Sequence, residues 1–315
     1  MTEHVTFIHN KIKEQIDQNI YLGASLALFD GSRWQEYYYG QVQPGQPVRE
    51  GLIYDLASVS KVVGVGTVLI FLIEEGRIAL DQPLKHYYPD FDDDTVTIRQ
   101  LLTHASGIDP FIPNRDRLSA AQLTEAINQI KVTADRSFKY TDINFILLGF
   151  MLETFLGQSL DLIFQERVFG PFQMTSTSFG PVADAVVTVK DVPAGRVHDP
   201  KAAVLGIHTG SAGLFSNLAD LESFVNHYLT DSFAKKLSRN YSRSNKDRSL
   251  AWDLDGEWLL HTGYTGTFIL INIPRQKAAI FLSNRTYEKD DRAQWIVDRD
   301  ELIKVIKDRL LEEKV

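Results

Sequence analysis

The sequence predicts an α+β fold: an antiparallel sheet flanked by an N-terminal and a C-terminal helix, with a mainly helical insertion between two halves of the sheet domain. Three observations lead there. The chain opens with a helix-period segment and two strand-like runs, its middle is a succession of helical segments, and it closes with four short strand-like runs and a last helix. The predicted division is 1–55 with 211–315 as the sheet domain and 56–210 as the helical domain, with a cleft between them where ligands favour binding.

Each element has its own signal. Ile8, Ile12 and Ile16 recur at helical spacing among polar residues, so 3–20 reads as an amphipathic helix. Residues 22–29 and 34–42 read as strands joined by the Asp30-Gly31 turn. The apolar run 62–73 continues a helix over 59–75 that stops at Gly76. Residues 78–89 are rich in turn formers. Thr97 and Ser119 are placed to cap helices over 97–104 and 119–130. Helices follow over 142–156 and 159–169, each ended by glycine. Residues 171–210 lack periodicity and read as an extended covering loop, and 231–248 read as exposed and mobile. A helix at 216–229 precedes strands at 250–254, 257–262, 266–273 and 278–283, and the closing helix covers 291–313.

Composition removes several function classes. The net charge is −8 and no basic patch stands out, which argues against a nucleic-acid partner. With no cysteine there is no disulfide, Cys nucleophile or thiolate metal site. The polar start lacks a signal-peptide core, and the 62–73 run is too short to span a bilayer, so the expectation is a cytoplasmic protein with no membrane partner. No metal-ligand spacing, dinucleotide fingerprint or phosphate loop is present; Gly64-Val65-Gly66 lacks the third glycine and the preceding strand, so no cofactor is expected.

The stretch Asp55-Leu56-Ala57-Ser58-Val59-Ser60-Lys61 carries the chemistry. On a helix, positions three apart share a face, which sets the Lys61 amine beside the Ser58 hydroxyl. A serine needs a neighbour to take its proton before it becomes a nucleophile. Ser58 is equally suited to cap the helix. A second Ser-x-x-Lys, Ser232-Phe233-Ala234-Lys235, lies in a polar stretch without companions and reads as a decoy.

Further motifs follow in order: Leu101-Leu102-Thr103-His104-Ala105-Ser106-Gly107, Tyr140-Thr141-Asp142, Arg196-Val197-His198-Asp199, Ala212-Gly213-Leu214-Phe215-Ser216 and His261-Thr262-Gly263-Tyr264. With Ser58-Val59-Ser60-Lys61 they resemble the class C serine β-lactamases and penicillin-binding proteins, a family that includes related serine esterases and D-aminopeptidases. Its pattern is Ser-x-x-Lys, Tyr-x-Asn and Lys-Thr-Gly. The match covers about residues 22–285. The resemblance implies a β-lactamase/transpeptidase-like fold and an acyl-enzyme mechanism on an ester or amide, including β-lactams and D-amino-acid peptides. It makes Ser58 the nucleophile, Lys61 and Tyr140 the proton-transfer pair, and the backbone N–H groups of Ser58 and Tyr264 the oxyanion hole. Asp142, His261, Thr262 and Gly263 would contact substrate.

Two positions depart from the pattern. His261 replaces the lysine and is mostly neutral at pH 7. Asp142 replaces the asparagine; when ionised it has no N–H to donate, and it favours a protonated Lys61. Small esters or amides are therefore expected to be better substrates than penicillins. His4 and His9 read as surface residues, His104 and His198 as structural hydrogen-bonding residues, and His208 as a candidate cleft residue. The other reading is a non-catalytic cell-wall-peptide binding or assembly protein on the same fold. Retention of Ser58, Lys61 and Tyr140 together favours the enzyme. Oligomeric state has no sequence signal.

Overall fold

The computed structural model describes residues 3–312, and their side chains apart from those of Glu3, His4 and Asp116, so the expectation for His4 lies outside the described residues. Helix α1 (Glu3–Asp17) buries Ile8 and Ile12, as its spacing requires. Strands β1 (Gly23–Phe29) and β2 (Trp34–Gln43) form the hairpin. Its turn is fixed by Asp30 Oδ1, which accepts from the N–H groups of Ser32 and Arg33. The two-residue strands β3 (Gln46–Pro47) and β4 (Tyr54–Asp55) follow.

The chain then enters one continuous helix, Ala57–Glu74. It opens as a 3-10 turn at Ala57–Val59, is π-wound over Val62–Gly66 and becomes regular in α2 (Thr67–Glu74). Among the described residues it is the one unbroken helix long and apolar enough to cross a membrane, and 78 % of it is buried inside the fold. Its glycine at 64 is required by close approach: a Cβ there would lie 2.5 Å from the Phe164 ring.

Short helices α3 (Leu84–Tyr87) and α4 (Ile98–Leu102), then α5 (Ala120–Asn128), α6 (Ile143–Leu156) and α7 (Leu160–Phe164), build the helical middle. Thr97 and Ser119 cap α4 and α5, each in a reciprocal capping box with a glutamine three residues on. Residues 171–210 are not an unstructured cover. They contain β5 (Ser178–Phe179) and α8 (Pro200–Leu205), which are too short to show a period. Likewise 78–89 contains α3.

Strand β6 (Leu214–Ser216) joins β4 and β5 in a small sheet of order β4-β6-β5. Helix α9 (Leu218–Thr230) follows. The 231–248 stretch is not exposed throughout: Ala234, Leu237, Tyr241 and Arg248 are buried. Strands β7 (Asp253–Asp255), β8 (Trp258–Thr262), β9 (Phe268–Asn272) and β10 (Lys277–Ser283) lead to α10 (Arg292–Leu311).

The main sheet has the order β3-β2-β1-β10-β9-β8-β7, antiparallel throughout, with Leu26 of β1 opposite Tyr37 and Phe281. Its faces carry two cores. On one side Leu26, Phe268 and Phe281 meet Ile8, Ile12, Leu302 and Ile306 from α1 and α10. On the other, Ala27, Ile269, Ile271 and Ile280 join the large core that includes Phe224 and Val225 of α9. Both faces being covered, β1 and β9 are buried along their length rather than alternately. Each fully buried aliphatic side chain contributes about 1.5–3 kcal/mol, so this double burial fixes the sheet on which Thr262 to Tyr264 are carried.

Candidate active site

Strand β4 ends at Asp55, and the chain turns sharply into the Ala57–Glu74 helix. Ala57 takes the left-handed conformation, φ +46°, a region that costs an L-residue roughly 1–3 kcal/mol. The buried Asp55 carboxylate holds this turn. Its Oδ1 accepts from Ala57 N–H and its Oδ2 from His198 N–H, both at 2.8 Å. Burial, opposed by these two donors, pushes the Asp55 carboxyl up to about 6. Ser58 follows directly. It does not cap the helix: the cap position is Leu56, with no side-chain cap bond.

The Lys61 side chain is fully buried, and its ammonium donates to three acceptors: Ser58 Oγ at 2.8 Å, Asp142 Oδ1 at 2.7 Å and Ser211 O at 2.8 Å. Burial alone would lower the lysine's proton affinity. The Asp142 carboxylate and Tyr140 outweigh it, and Lys61 is held above its ordinary range. Asp142 stands at the entrance of α6 but makes no cap bond there. Its Oδ2 meets Lys201 Nζ at 3.0 Å instead. The two ammonium groups hold Asp142 ionised against the cost of its burial.

Tyr140 is 40 % exposed, its ring centroid 5.2 Å from Lys61 Nζ and 4.4 Å from that of the His104 ring, the two planes tilted by 32°. His104 is buried and accepts at Nδ1 from Asn144 Nδ2, 3.1 Å away. It underlies Tyr140 and does not line the cleft. His198 meets the cleft and stacks on Tyr264, centroids 5.4 Å apart.

Ser58, Tyr140, Asp142, His198, Lys201 and Tyr264 line one cleft of about 510 Å³. A smaller recess of about 200 Å³ lies beside it, lined by Ser58, Tyr140, Thr262, Gly263, Tyr264 and the first turns of α10. Gly263 donates to Thr267 O at 2.7 Å. Thr262 Oγ1 accepts from Arg299 at 3.3 Å. Tyr264 is braced by Arg285, whose Nε donates to its carbonyl at 2.8 Å, and by Asp290, which accepts from its hydroxyl at 2.5 Å.

His261 differs from the expectation for a substrate contact. It is 4 % exposed and lines neither recess. Burial, then the charges of Lys61 and Arg248, lower its proton affinity well below the ordinary histidine value. His208 is not a cleft residue: it pairs with Glu153 at 2.8 Å. His9 is not free surface, since its Nδ1 meets the Tyr39 hydroxyl at 2.9 Å. Among the described residues no group of three or more His, Cys, Asp or Glu is placed to hold a metal.

Sequence reasoning missed Lys201, Arg285, Asp290 and Arg292. Only Lys201 had a local signal, because Asp199-Pro200 is a helix-start pair. Arg292 lines both recesses, 5.4 Å from the Tyr264 ring, and nothing in its own neighbourhood marks it in the sequence.

The arrangement compares directly with known proteins. The profile of the beta-lactamase family matches residues 8–303. A protein of Escherichia coli O157:H7, provisionally described as a D-alanyl-D-alanine carboxypeptidase, is 27 % identical over 352 aligned positions, covering 88 % of this chain and 81 % of the relative. The crystal structure of a beta-lactamase/D-alanine carboxypeptidase from Pseudomonas syringae superposes with a TM-score of 0.80 at 19 % identity, over 99 % of this chain and 100 % of that one. A hydrolase described as having promiscuous acyltransferase activity gives 0.78 at 16 % identity, over 98 % of each chain. At these identities the structural likeness speaks for the fold, and the profile match speaks for the family. The chain belongs to the beta-lactamase family and is a serine hydrolase of the β-lactamase and penicillin-binding-protein type.

Proposed function

We propose that Ser58 attacks the carbonyl of a small ester or amide and forms an acyl-enzyme that water then hydrolyses. The observation that carries this is the 2.8 Å contact between Lys61 Nζ and Ser58 Oγ at the wall of an open cleft. Lys61 and Tyr140 work as one coupled pair. Because Asp142 keeps the lysine charged, Lys61 donates to Ser58 Oγ in the resting site; once the Lys61–Tyr140 pair has lost one proton, it takes the proton of Ser58 as the serine attacks. The pair returns that proton to the leaving group. The N–H groups of Ser58 and Tyr264 face the developing oxyanion, a role typically worth ~3–4 kcal/mol. Thr262 and Gly263 form the wall along which substrate lies.

The reading divides the chain at the cleft: 1–55 and 211–315 form the sheet domain, 56–210 the helical one. In support, the cleft is lined by Tyr264 and Arg292 from one part and by Tyr140 and Lys201 from the other.

Substrate preference follows from the two altered positions. His261 is buried and presents no cation to the cleft, and ionised Asp142 offers no N–H to a substrate amide. A ligand carboxylate has no anchor at position 261, while Arg292 lines both recesses from elsewhere; on the two altered positions, small uncharged esters or amides suit the site better than penicillins. The Escherichia coli relative makes a D-amino-acid peptide the second substrate class to test.

The test has two parts. Labelling with a fluorophosphonate and with a fluorescent penicillin, followed by mass spectrometry, should place the fluorophosphonate on Ser58, with Ser58→Ala as control. p-Nitrophenyl butyrate should turn over faster than nitrocefin. No adduct at Ser58 with either reagent would overturn the acylation roles; faster nitrocefin turnover would overturn the substrate preference alone.

A further inference from the structure

One buried cation beside the catalytic groups has no task in the chemistry above. Lys201 lies in α8 with its side chain 10 % exposed, its Nζ 3.0 Å from Asp142 Oδ2 and 3.1 Å from Asp199 Oδ2. Asp199 is itself fixed, because its Oδ1 accepts from Ala202 N–H at 2.9 Å as the cap of α8, with Pro200 in the first turn. A short helix thus delivers one ammonium to the far oxygen of the carboxylate that holds Lys61.

We propose that Lys201 is a positioning residue which, acting through Asp142, sets how tightly Lys61 keeps its proton and so the pH at which Ser58 becomes nucleophilic. It rests on the acylation roles given above to Ser58, Lys61 and Tyr140. The physical reason is charge sharing. Asp142 carries one negative charge and serves two ammonium groups, one on each oxygen. With Lys201 in place, less of that charge acts on Lys61, and a second positive charge stands near the pair. Both effects ease proton loss from the Lys61–Tyr140 pair. Asp199 opposes them by drawing Lys201 away from Asp142.

Other groups facing this centre are accounted for. Tyr140 and Asp142 come from the entrance of α6, Lys201 and Asp199 from the start of α8, and His261 from β8. His104 follows α4, and Arg248 precedes β7. His104 and His261 are both held neutral by burial and by the charges of Lys61 and Arg248. Arg248 is committed to Asp253 at 3.5 Å. Lys201 and Asp199 are therefore the pair whose removal changes the charge felt by Asp142 and Lys61.

The experiment is the rate of fluorophosphonate labelling of Ser58 as a function of pH, in the wild-type chain and three variants. Lys201→Gln should move the midpoint of the rising limb up by about one pH unit. Lys201→Arg should restore it to within a few tenths. Asp199→Asn, which can still cap α8, should move it down. These opposite signs separate charge tuning from a purely structural role, which would slow labelling without moving the limb. Should Lys201→Gln fail to fold by circular dichroism, the downward shift in Asp199→Asn carries the test. Unmoved midpoints in the folded variants, or an upward one in Asp199→Asn, overturn the proposal. No labelling of wild-type Ser58 at any pH overturns instead the acylation roles on which it rests.

Discussion

Lys61 and Asp142, 81 residues apart in the chain, meet at 2.7 Å. The lysine side chain is fully buried and the carboxylate about three-quarters so. Removing one member of such a pair leaves the other charge uncompensated, at a cost typically near 3 kcal/mol or more. Asp142→Asn should therefore lose about 3 kcal/mol in urea unfolding at pH 7. It should also lower the pH at which Ser58 labelling rises, because the carboxylate that holds Lys61 charged is gone. A variant as stable as the wild type would show that the pair's attraction does not repay its burial.

Gly263 stands where no side chain fits. An added Cβ would lie 2.1 Å from Thr267 Oγ1 and 2.5 Å from Leu56 O, the backbone just before the nucleophile turn. Gly263→Ala must displace β8 or that turn, and with it the Tyr264 N–H. A displacement near 1 Å costs on the order of 100-fold in rate. The expected result is a kcat for an ester substrate lowered by that order, with the melting temperature changed by only a few degrees.

Asp55 holds the left-handed Ala57 through its side chain. Asp55→Ala removes the acceptor, and Ser58 labelling should slow at least tenfold. Asp55→Asn keeps an oxygen for Ala57 N–H and should retain most of the rate. Equal losses in the two variants would mean that the charge, or the second oxygen accepting from His198 N–H, matters as much as the bond to Ala57.

Stability against pH follows from buried groups of opposite sign. His104 and His261 have proton affinities well below the ordinary histidine value. As pH falls below about 6.5, the unfolded chain takes up protons that the native chain refuses, and stability drops by about 1.4 kcal/mol per pH unit for each group. Asp55 works the other way. Its carboxyl is pushed up to about 6, so between its ordinary value near 3.9 and that point the native form holds the extra proton, and stability rises on acidification. Urea midpoints at pH 7 and pH 5 should fall less for His104→Gln and His261→Gln than for the wild type, and more for Asp55→Asn. The reverse order for Asp55→Asn would contradict this balance.

The sequence showed the frame of the site but not all of its walls. The helix carrying Ser58 and Lys61 is legible because it is long and apolar, whereas Tyr140, which precedes α6, is legible only through the resemblance of Tyr140-Thr141-Asp142 to the family motif. The sequence also points to Asp142 as a partner of Lys61, and the two meet at 2.7 Å. Lys201 escapes a periodicity argument because α8 has only six residues, and the Asp199-Pro200 pair before it marks a helix start but not where the lysine reaches. The burial of His261 was equally out of reach. Its strand is short, and exposure there depends on Tyr140, 121 residues away in the chain, and on Trp252 just before β7. The anchored turns of 231–248 were missed because a few residues, Leu237 and Tyr241 among them, hold an otherwise polar segment.

The Ala57–Glu74 helix is enclosed by the fold over most of its length. Ser58 and Lys61 are therefore rooted in an enclosed part of the molecule, whereas much of the cleft rim comes from connecting segments near Pro110, His198 and Asp290. Reaction and recognition can drift separately in such a body. Exchanging a rim segment would alter which molecule enters while leaving Ser58 and Lys61 where they are.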